Sequence, residues 1–400
     1  MKAWLIAGES SGDALGAALM QGLRSLTPDV RFAGVGGPMM QAEGLSSLFP
    51  MDELSIMGLA EILPKYVHLK RRIRETARAI AADAPDVVIT IDSPDFCLRV
   101  LALVKPSNPG LKTVHYVAPS VWAWRPGRAE KMARVVDHVL ALLPFEPPYM
   151  TRAGMSCDFV GHPVTTQPVA TDADAAAFRA DYGIGAKVPL ILALPGSRKG
   201  EVARLGPVFG AALRPVLAAQ PEARVIVPSV AARGQQVQAL VADWPGAPVV
   251  LEAGQTDAAT KRAAFHAADV ALAASGTVSL ELAAADTPMV IAYRMNALSE
   301  ALITRLLRVD TVTLVNLVSE TRAVPEFLGA QCKPEGIAKA LTGLLRDGET
   351  RQAQRDAMAV TMQRLGRGGE APGLRAARSV LAVLGASPPL GLRPIHPQDI

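Results

Sequence analysis

Short apolar runs of strand length alternate with segments of helical period along this chain, and the alternation stops once and starts again. In the first half the runs fall at residues 3–7, 30–35, 87–91, 113–117, 139–143 and 158–160, with helical periodicity between them, as at 14–26 and 96–104. Strands apolar on both faces and separated by helices predict a parallel sheet covered on each side. Residues 164–174, VTTQPVATDAD, are polar, contain Pro168 and lack an apolar period, as an interdomain linker would. The runs resume at 190–194, 225–227, 249–251, 270–273, 289–292 and 312–314, and 334–384 is helical in pattern. The expected fold is α/β, two Rossmann-like doubly wound domains at 1–165 and 175–365 facing a central cleft. A last helix at 372–385 is expected to cross back onto the first domain, and the proline-rich tail 387–400 to be disordered.

Composition narrows the function classes. Among 400 residues, 50% are hydrophobic and 20% charged, as in a globular chain, and a net charge of +4 is too small for a nucleic-acid binder. Cys97, Cys157 and Cys332 lie far apart, with no paired spacing for a disulfide framework or zinc, which fits a reducing cytoplasm. Glu9 and Asp13 interrupt the N-terminal apolar run too early for a signal peptide, so it reads as a first strand.

In doubly wound sheets ligands sit outside the carboxyl ends of the strands, and the distinctive motifs follow strands here. Gly8-Glu9-Ser10-Ser11-Gly12-Asp13 opens a helix after the first run. A capped turn accounts for Ser11 and Asp13 but leaves Glu9 unused; the alternative places Glu9, Ser11, Gly12 and Asp13 at the acceptor side of the cleft. Gly34-Val35-Gly36-Gly37 follows the second run, where a dinucleotide fingerprint would follow the first, so it reads as a tight turn. In Asp92-Ser93-Pro94-Asp95-Phe96, Ser93 fits an N-cap and Pro94 the first helical position, while Asp95 also suits a base that takes a proton from an attacking hydroxyl. Trp122 and Trp124 would point to one side of an extended segment, as sugar or acyl platforms or as packing between domains. The helical stripe Arg125, Arg128, Lys131 and Arg134 is a solvated face or a phosphate contact.

The second half carries anion-binding chemistry. Gly196-Ser197-Arg198 lets a backbone approach a phosphate and adds a forked cation. Ser275-Gly276-Thr277 opens a helix as a diphosphate cradle, and Glu281, one turn on, suits the hydroxyls of a ribose. Tyr293 and Arg294 close the next strand, and Asn316 is read as ending the run VTLV. Two arginines and a helix dipole can stabilise a departing diphosphate without a metal. No acid pair suggests a metal site: Asp172-Ala173-Asp174 lies in the linker without a preceding strand and is assigned no role. No cofactor is expected. The segment with Leu59, Ile62 and Leu63 precedes a helix crowded by Lys70, Arg71, Arg72, Arg74 and Arg78, with an apolar side at Tyr66, Leu69, Ile73, Ala77 and Ile80. It is a solvated basic helix over a core stripe, or a membrane-surface element.

With AGESSGD, IDSPDF, HYVAPSVWAWR, LPFE, GHP, LPGSRKGEV, ASGTVSLE, YR and VNL in that order, the chain resembles the lipid-A-disaccharide synthase family, glycosyltransferases of GT-B architecture, from about residue 3 to 384. The resemblance implies a UDP-2,3-diacylglucosamine donor and a 2,3-diacylglucosamine 1-phosphate acceptor. It implies inversion to the β-1,6 disaccharide 1-phosphate and work at the anionic cytoplasmic face of the inner membrane. It also implies Asp95 as the base, and Arg198, Ser275, Gly276, Thr277, Glu281, Arg294 and Asn316 around UDP. Residues 164–167 lack the acid that the family often has after GHP. A UDP-sugar 2-epimerase of similar architecture is the rival enzyme reading. An exported sugar-binding protein is the non-enzyme one, which the absence of a signal peptide disfavours. The oligomeric state, a homodimer included, stays open.

Overall fold

The computed structural model describes residues 1–54, 62–125, 127–252, 254, 256–295 and 307–385, with backbone alone at 62–66 and 231. The chain forms two compact units, Met1–Thr166 with the chain from Leu365, and Gln167–Arg364. In the first unit the strands are β1 Lys2–Ala7, β2 Arg31–Val35, β3 Ser46–Ser47, β4 Val87–Ile91, β5 Lys112–Tyr116, β6 His138–Ala141 and β7 Ser156–Phe159. Its helices are α1 Ser10–Leu26, α2 Pro38–Ala42, α3 Ile62–Asp83, α4 Pro94–Val104, α5 Gly127–Met132 and α6 Pro147–Arg152. Among the described residues the sheet runs β3-β2-β1-β4-β5-β6-β7, and every pairing is parallel.

Alternation along β1 explains why this sheet must be covered twice. Ala3, Leu5 and Ala7 join one core with α1, and Trp4 and Ile6 join another with α3 and α4. Each large side chain so buried contributes about 1.5–3 kcal/mol.

The second unit repeats the plan with β8 Leu190–Leu194, β9 Arg224–Ser229, β10 Val249–Glu252, β11 Val270–Ala274, β12 Met289–Tyr293 and β13 Glu326–Leu328. Its helices are α7 Asp172–Asp181, α8 Lys199–Ala219, α9 Gly234–Val241, α10 Ala258–Ala267, α11 Val278–Ala284, α12 Leu314–Ser319, α13 Pro334–Arg346 and α14 Gly348–Arg364. The order is β10-β9-β8-β11-β12-β13, parallel throughout. α8 is long and apolar enough to cross a membrane, yet Val202, Leu205, Phe209, Leu213 and Val216 pack into the core of this unit, so it is a core helix. The chain then re-enters the first unit, where α15 Pro372–Val383 lies on α1. Ser379 joins α15 to the sheet, meeting His138 at 2.8 Å and donating to Asp158 Oδ2 at 2.6 Å.

Three sequence expectations change. The polar stretch at 164–174 is not structureless: Pro163–Thr166 is a 3₁₀ turn, and α7 begins at Asp172. Asp174 closes a capping box with Thr171, so the D-x-D acids open a helix. The run at 312–314 is no strand. Thr313 starts α12, and the strand beside β12 is β13. A short apolar run fits a strand or a buried helix equally, and here Glu326 decides. Its carboxylate accepts from the Thr311 hydroxyl and from the amides of Val312 and Thr313, at 3.1 Å each. β3 was not expected, because two residues carry no period. Leu59 and the tail 387–400 lie outside the described residues, as do the side chains of Ile62 and Leu63.

Candidate functional site

Each sheet reverses its strand order at one place, between β1 and β4 in the first unit and between β8 and β11 in the second. Helices on either side of such a reversal leave for opposite faces of the sheet and open a crevice at the strand ends. Register puts the motifs there. Ala7 pairs with Ile91, and Ile91 with Tyr116, so Gly8, Asp92 and Val117 leave the sheet at one level. In the second unit Leu194 pairs with Ala273, and Ala274 with Ala292, so Pro195, Ser275 and Arg294 follow their strand ends within two residues of one another in register.

The β4–α4 turn is strained. Asp92 and Ser93 are consecutive non-glycine residues at φ +50° and +43°, each costing about 1–3 kcal/mol. Neighbours hold them there. The Asp92 amide donates to Tyr116 O, and the Ser93 carbonyl accepts from Phe96 and Cys97. Gly8 fits so close that a Cβ on it would lie 2.5 Å from Ser93 Oγ. Ser93 occupies the N-cap position, as expected, but its side chain makes no capping bond. Asp95 stands in the first turn of α4, exposed, and among the described residues its carboxylate has no partner.

The neighbouring candidates divide. Glu9, not Ser11, is the N-cap residue of α1; Glu9 and Ser11 are exposed and Gly12 is buried. Asp13 is committed to the protein's own backbone. It is 2% exposed, and its carboxylate takes the amides of Gly37 at 2.9 Å, Met39 at 2.9 Å and Met40 at 3.0 Å, capping α2 from a distance.

The two tryptophans do not share a side, because residues 121–124 turn instead of extending. Trp122 is buried edge-on against Phe145, centroids 5.3 Å apart, and donates to Glu146 at 3.4 Å. It therefore packs, while half-buried Trp124 lies under the Arg125 guanidinium at 4.3 Å. Glu146, the acid of LPFE and given no role from the sequence, is 4% exposed, and burial pushes its carboxyl up to about 7. Its folded value stands above the unfolded one, so the stabilisation is complete below about pH 4.5 and is lost as pH rises through 7. Glu146→Gln removes that dependence. Against wild type its relative stability should climb by ~3 kcal/mol between pH 4 and 8. Paired thermal melts across that range check it, and parallel curves would mean that Glu146 does not titrate there.

In the second unit, Ser275 is half-buried and Gly276 and Thr277 are exposed at the start of α11. Among the described residues the amides of Gly276, Thr277 and Val278 meet no acceptor. Lys261 Nζ holds Glu281 Oε2 at 2.7 Å, leaving Oε1 without a partner among the described residues. Arg294 is exposed, its carbonyl taken by Arg204 Nε at 3.0 Å, and Tyr293 is half-buried. The Arg198 side chain is 82% exposed, with Nη1 2.9 Å from Glu201 Oε1. The Gly196-Ser197 backbone is not the open phosphate cradle expected, because Glu201 Oε2 already takes the amides of Ser197 at 3.3 Å and Arg198 at 3.2 Å. The signal was present: an acid three residues past the turn has the spacing of a capping box.

Asn316 does not end a strand. It is 1% exposed within α12. Its Nδ2 donates to Val324 O at 2.9 Å and its Oδ1 accepts the Val324 amide at 3.0 Å, closing the turn into β13. Arg72 is likewise a structural residue. Its guanidinium grips Glu53 through Nε at 2.7 Å and Nη2 at 2.8 Å, meets Glu75 at 2.8 Å, and covers Phe49. Lys70 and Arg71 are exposed, and with Val67, Arg74, Glu75 and Arg78 they line a groove of about 600 Å³ along α3, in which Glu75 is the single acid and is paired with Arg72. Ile73 and Ile80 carry the buried side of the same helix. No group of three or more His, Cys, Asp or Glu side chains suited to a metal occurs among the described residues.

Comparison with known proteins gives one answer. The family model for lipid-A-disaccharide synthetase matches residues 3–371. A lipid-A-disaccharide synthase of Ruegeria pomeroyi is 65% identical over 95% of each chain, and one of Rhodospirillum centenum is 46% identical over 95% of this chain and 94% of its own. Among solved structures, a UDP co-structure of MnaA from S. aureus covers 96% of this chain and 97% of its own, with a TM-score of 0.67. At 13% identity it shares the fold alone.

Proposed function

The chain belongs to the lipid-A-disaccharide synthase family, so it is a glycosyltransferase of lipid A biosynthesis, and from that premise we propose how its residues divide the work. The donor is UDP-2,3-diacylglucosamine and the acceptor 2,3-diacylglucosamine 1-phosphate. Asp95 takes the proton of the acceptor's 6-hydroxyl as that oxygen attacks the anomeric carbon. The bond from that carbon to the diphosphate oxygen breaks, and the centre inverts. Arg198, Arg294 and the amides opening α11 receive the charge that develops on UDP, which is the task a metal serves elsewhere. Glu281 Oε1 accepts from the ribose. What carries this reading is the coincidence of the motifs with both strand-order reversals: an exposed carboxylate without a partner among the described residues at one, exposed cations and amides without an acceptor among the described residues at the other. The rival epimerase reading needs no lipid acceptor, and a family match over residues 3–371 leaves it no support.

We also propose work at the cytoplasmic face of the inner membrane, with α3 as the contact. Its outward face carries Lys70, Arg71, Arg74 and Arg78 beside Val67, which is 70% exposed. Cations near an anionic surface contribute about 1 kcal/mol each. Each buried methylene of an acyl chain adds ~0.8 kcal/mol, which favours chains left in the bilayer.

One assay tests both proposals. Donor and acceptor are supplied with chelator, in anionic vesicles and separately in neutral detergent micelles, and disaccharide and UDP are followed. Product is expected in both. The variant K70E/R71E/R74E should lose about tenfold or more in rate on vesicles and keep its rate in micelles. Activity restored only by Mg²⁺ would overturn the arginine-based stabilisation, and equal losses in both media would overturn the membrane role.

A further inference from the structure

Glu201 is a buried acid, 7% exposed, in the first turn of α8. Three donors converge on it. Oε2 takes the amides of Ser197 and Arg198, and Oε1 takes Arg198 Nη1. Burial and the nearby Glu201 charge raise the Tyr293 phenol at the end of β12. Gly196 makes room for it. At φ +116° this residue sits in left-handed backbone, and a Cβ there would lie 2.7 Å from Glu201 Cβ and 2.8 Å from Oε2. An anion therefore already occupies the start of α8. A phosphate arriving there would meet a fixed charge of its own sign, and amide donors already engaged. Glu201 Oε1 holds Arg198 Nη1 while the side chain stays 82% exposed.

We propose that Glu201 is a positioning residue: a built-in anion that closes the Ser197 and Arg198 amides to the donor's diphosphate and orients the Arg198 side chain to meet it. This rests on the donor reading of the second unit and deepens it. Part of the side-chain entropy that a long arginine loses on binding is removed in advance. The Gly-Ser-Arg turn thus recognises the diphosphate through one side chain, not through its backbone.

A double-mutant cycle on UDP affinity, measured by calorimetry, separates this from a purely structural cap. Arg198→Ala should weaken UDP by about 10–100-fold, the loss of a charge-assisted contact. Glu201→Gln should weaken it by ~3–10-fold in the wild-type background and less than about twofold beside Arg198→Ala, because the two act through one group. In turnover, Glu201→Gln should raise KM for the UDP-sugar in step, with kcat within about twofold. Equal effects of Glu201→Gln in both backgrounds would overturn the proposal, as would tighter UDP binding, or a lowered Tm with unchanged affinity. If Arg198→Ala itself leaves UDP affinity intact, the donor reading fails instead. Should Glu201→Gln not fold, Glu201→Asp runs the same cycle. It keeps the charge but withdraws it by one methylene, and the same non-additivity is required of it.

Discussion

Asp95→Ala is expected to lower kcat by about 10²–10⁴-fold, the usual worth of a positioned general base, while UDP affinity stays within about twofold of wild type. The separation follows from where the groups stand. Asp95 belongs to the first unit, and the side chains assigned to UDP belong to the second. The structural alternative is that Asp95 caps α4. Nothing in the geometry requires it, because the carboxylate is exposed and has no hydrogen-bond partner among the described residues. An acid in a first turn contributes about 0.3–1 kcal/mol through the helix dipole, so the Tm should move by no more than a few degrees. Asp95→Asn, of nearly the same shape, should be as slow as alanine. Steady-state rates with UDP calorimetry on both variants decide. Near-normal kcat with a lowered Tm would reduce Asp95 to a helix-end charge and leave Glu9, exposed at the same level of the sheet, as the next base to test.

The strained pair before Asp95 supports the same assignment. A tight strand-to-helix turn would relax with glycine at 92 or 93, yet both positions carry side chains in left-handed backbone. Such conformations persist where surrounding bonds over-determine them, and they cluster at sites that aim a group.

What the sequence revealed and what it concealed differ in range. LILAL, VVITI and VALAA are buried on every residue, so they stand out as continuous apolar runs, and the two parallel sheets follow from their alternation with helices. The switch-point motifs were legible because strand ends and glycine turns are local signals. Asp13 was not, because its partners at Gly37 to Met40 lie more than 20 residues on and its local setting imitates an ordinary first-turn acid. Asn316 was misplaced for a related reason: its partner Val324 and the Glu326 that fixes α12 come later in the chain. Arg72 read as one of a cationic crowd, and only its reach across 19 residues to Glu53 separates it from Arg71 and Arg74. The pair Arg198 and Glu201 was local enough to find; the attraction of the Gly-Ser-Arg turn as a phosphate cradle hid the acid that fills it.

Asp13 carries the second large effect, on stability instead of chemistry. Asp13→Ala leaves the amides of Gly37, Met39 and Met40 without their acceptor, in a place 2% exposed. Each buried orphan costs about 1–3 kcal/mol, less where water enters, so the whole loss should be about 3–5 kcal/mol. At about 2–4 °C per kcal/mol for a unit of this size, the melting of the first unit should fall by roughly 6–20 °C. Asp13→Asn retains one acceptor oxygen and turns an NH₂ toward the remaining donors, so it should lose about half as much or more. Below its melting point, each folded molecule of either variant should turn over within a fewfold of wild type. A shared base role predicts the reverse, a kcat loss comparable to that of Asp95→Ala with the Tm unmoved. Thermal melts beside rates taken at low temperature therefore distinguish a carboxylate that builds the β2–α2 turn from one that handles a proton, and the three amides around Asp13, which take three of about four acceptor sites of a carboxylate 2% exposed, favour the first task.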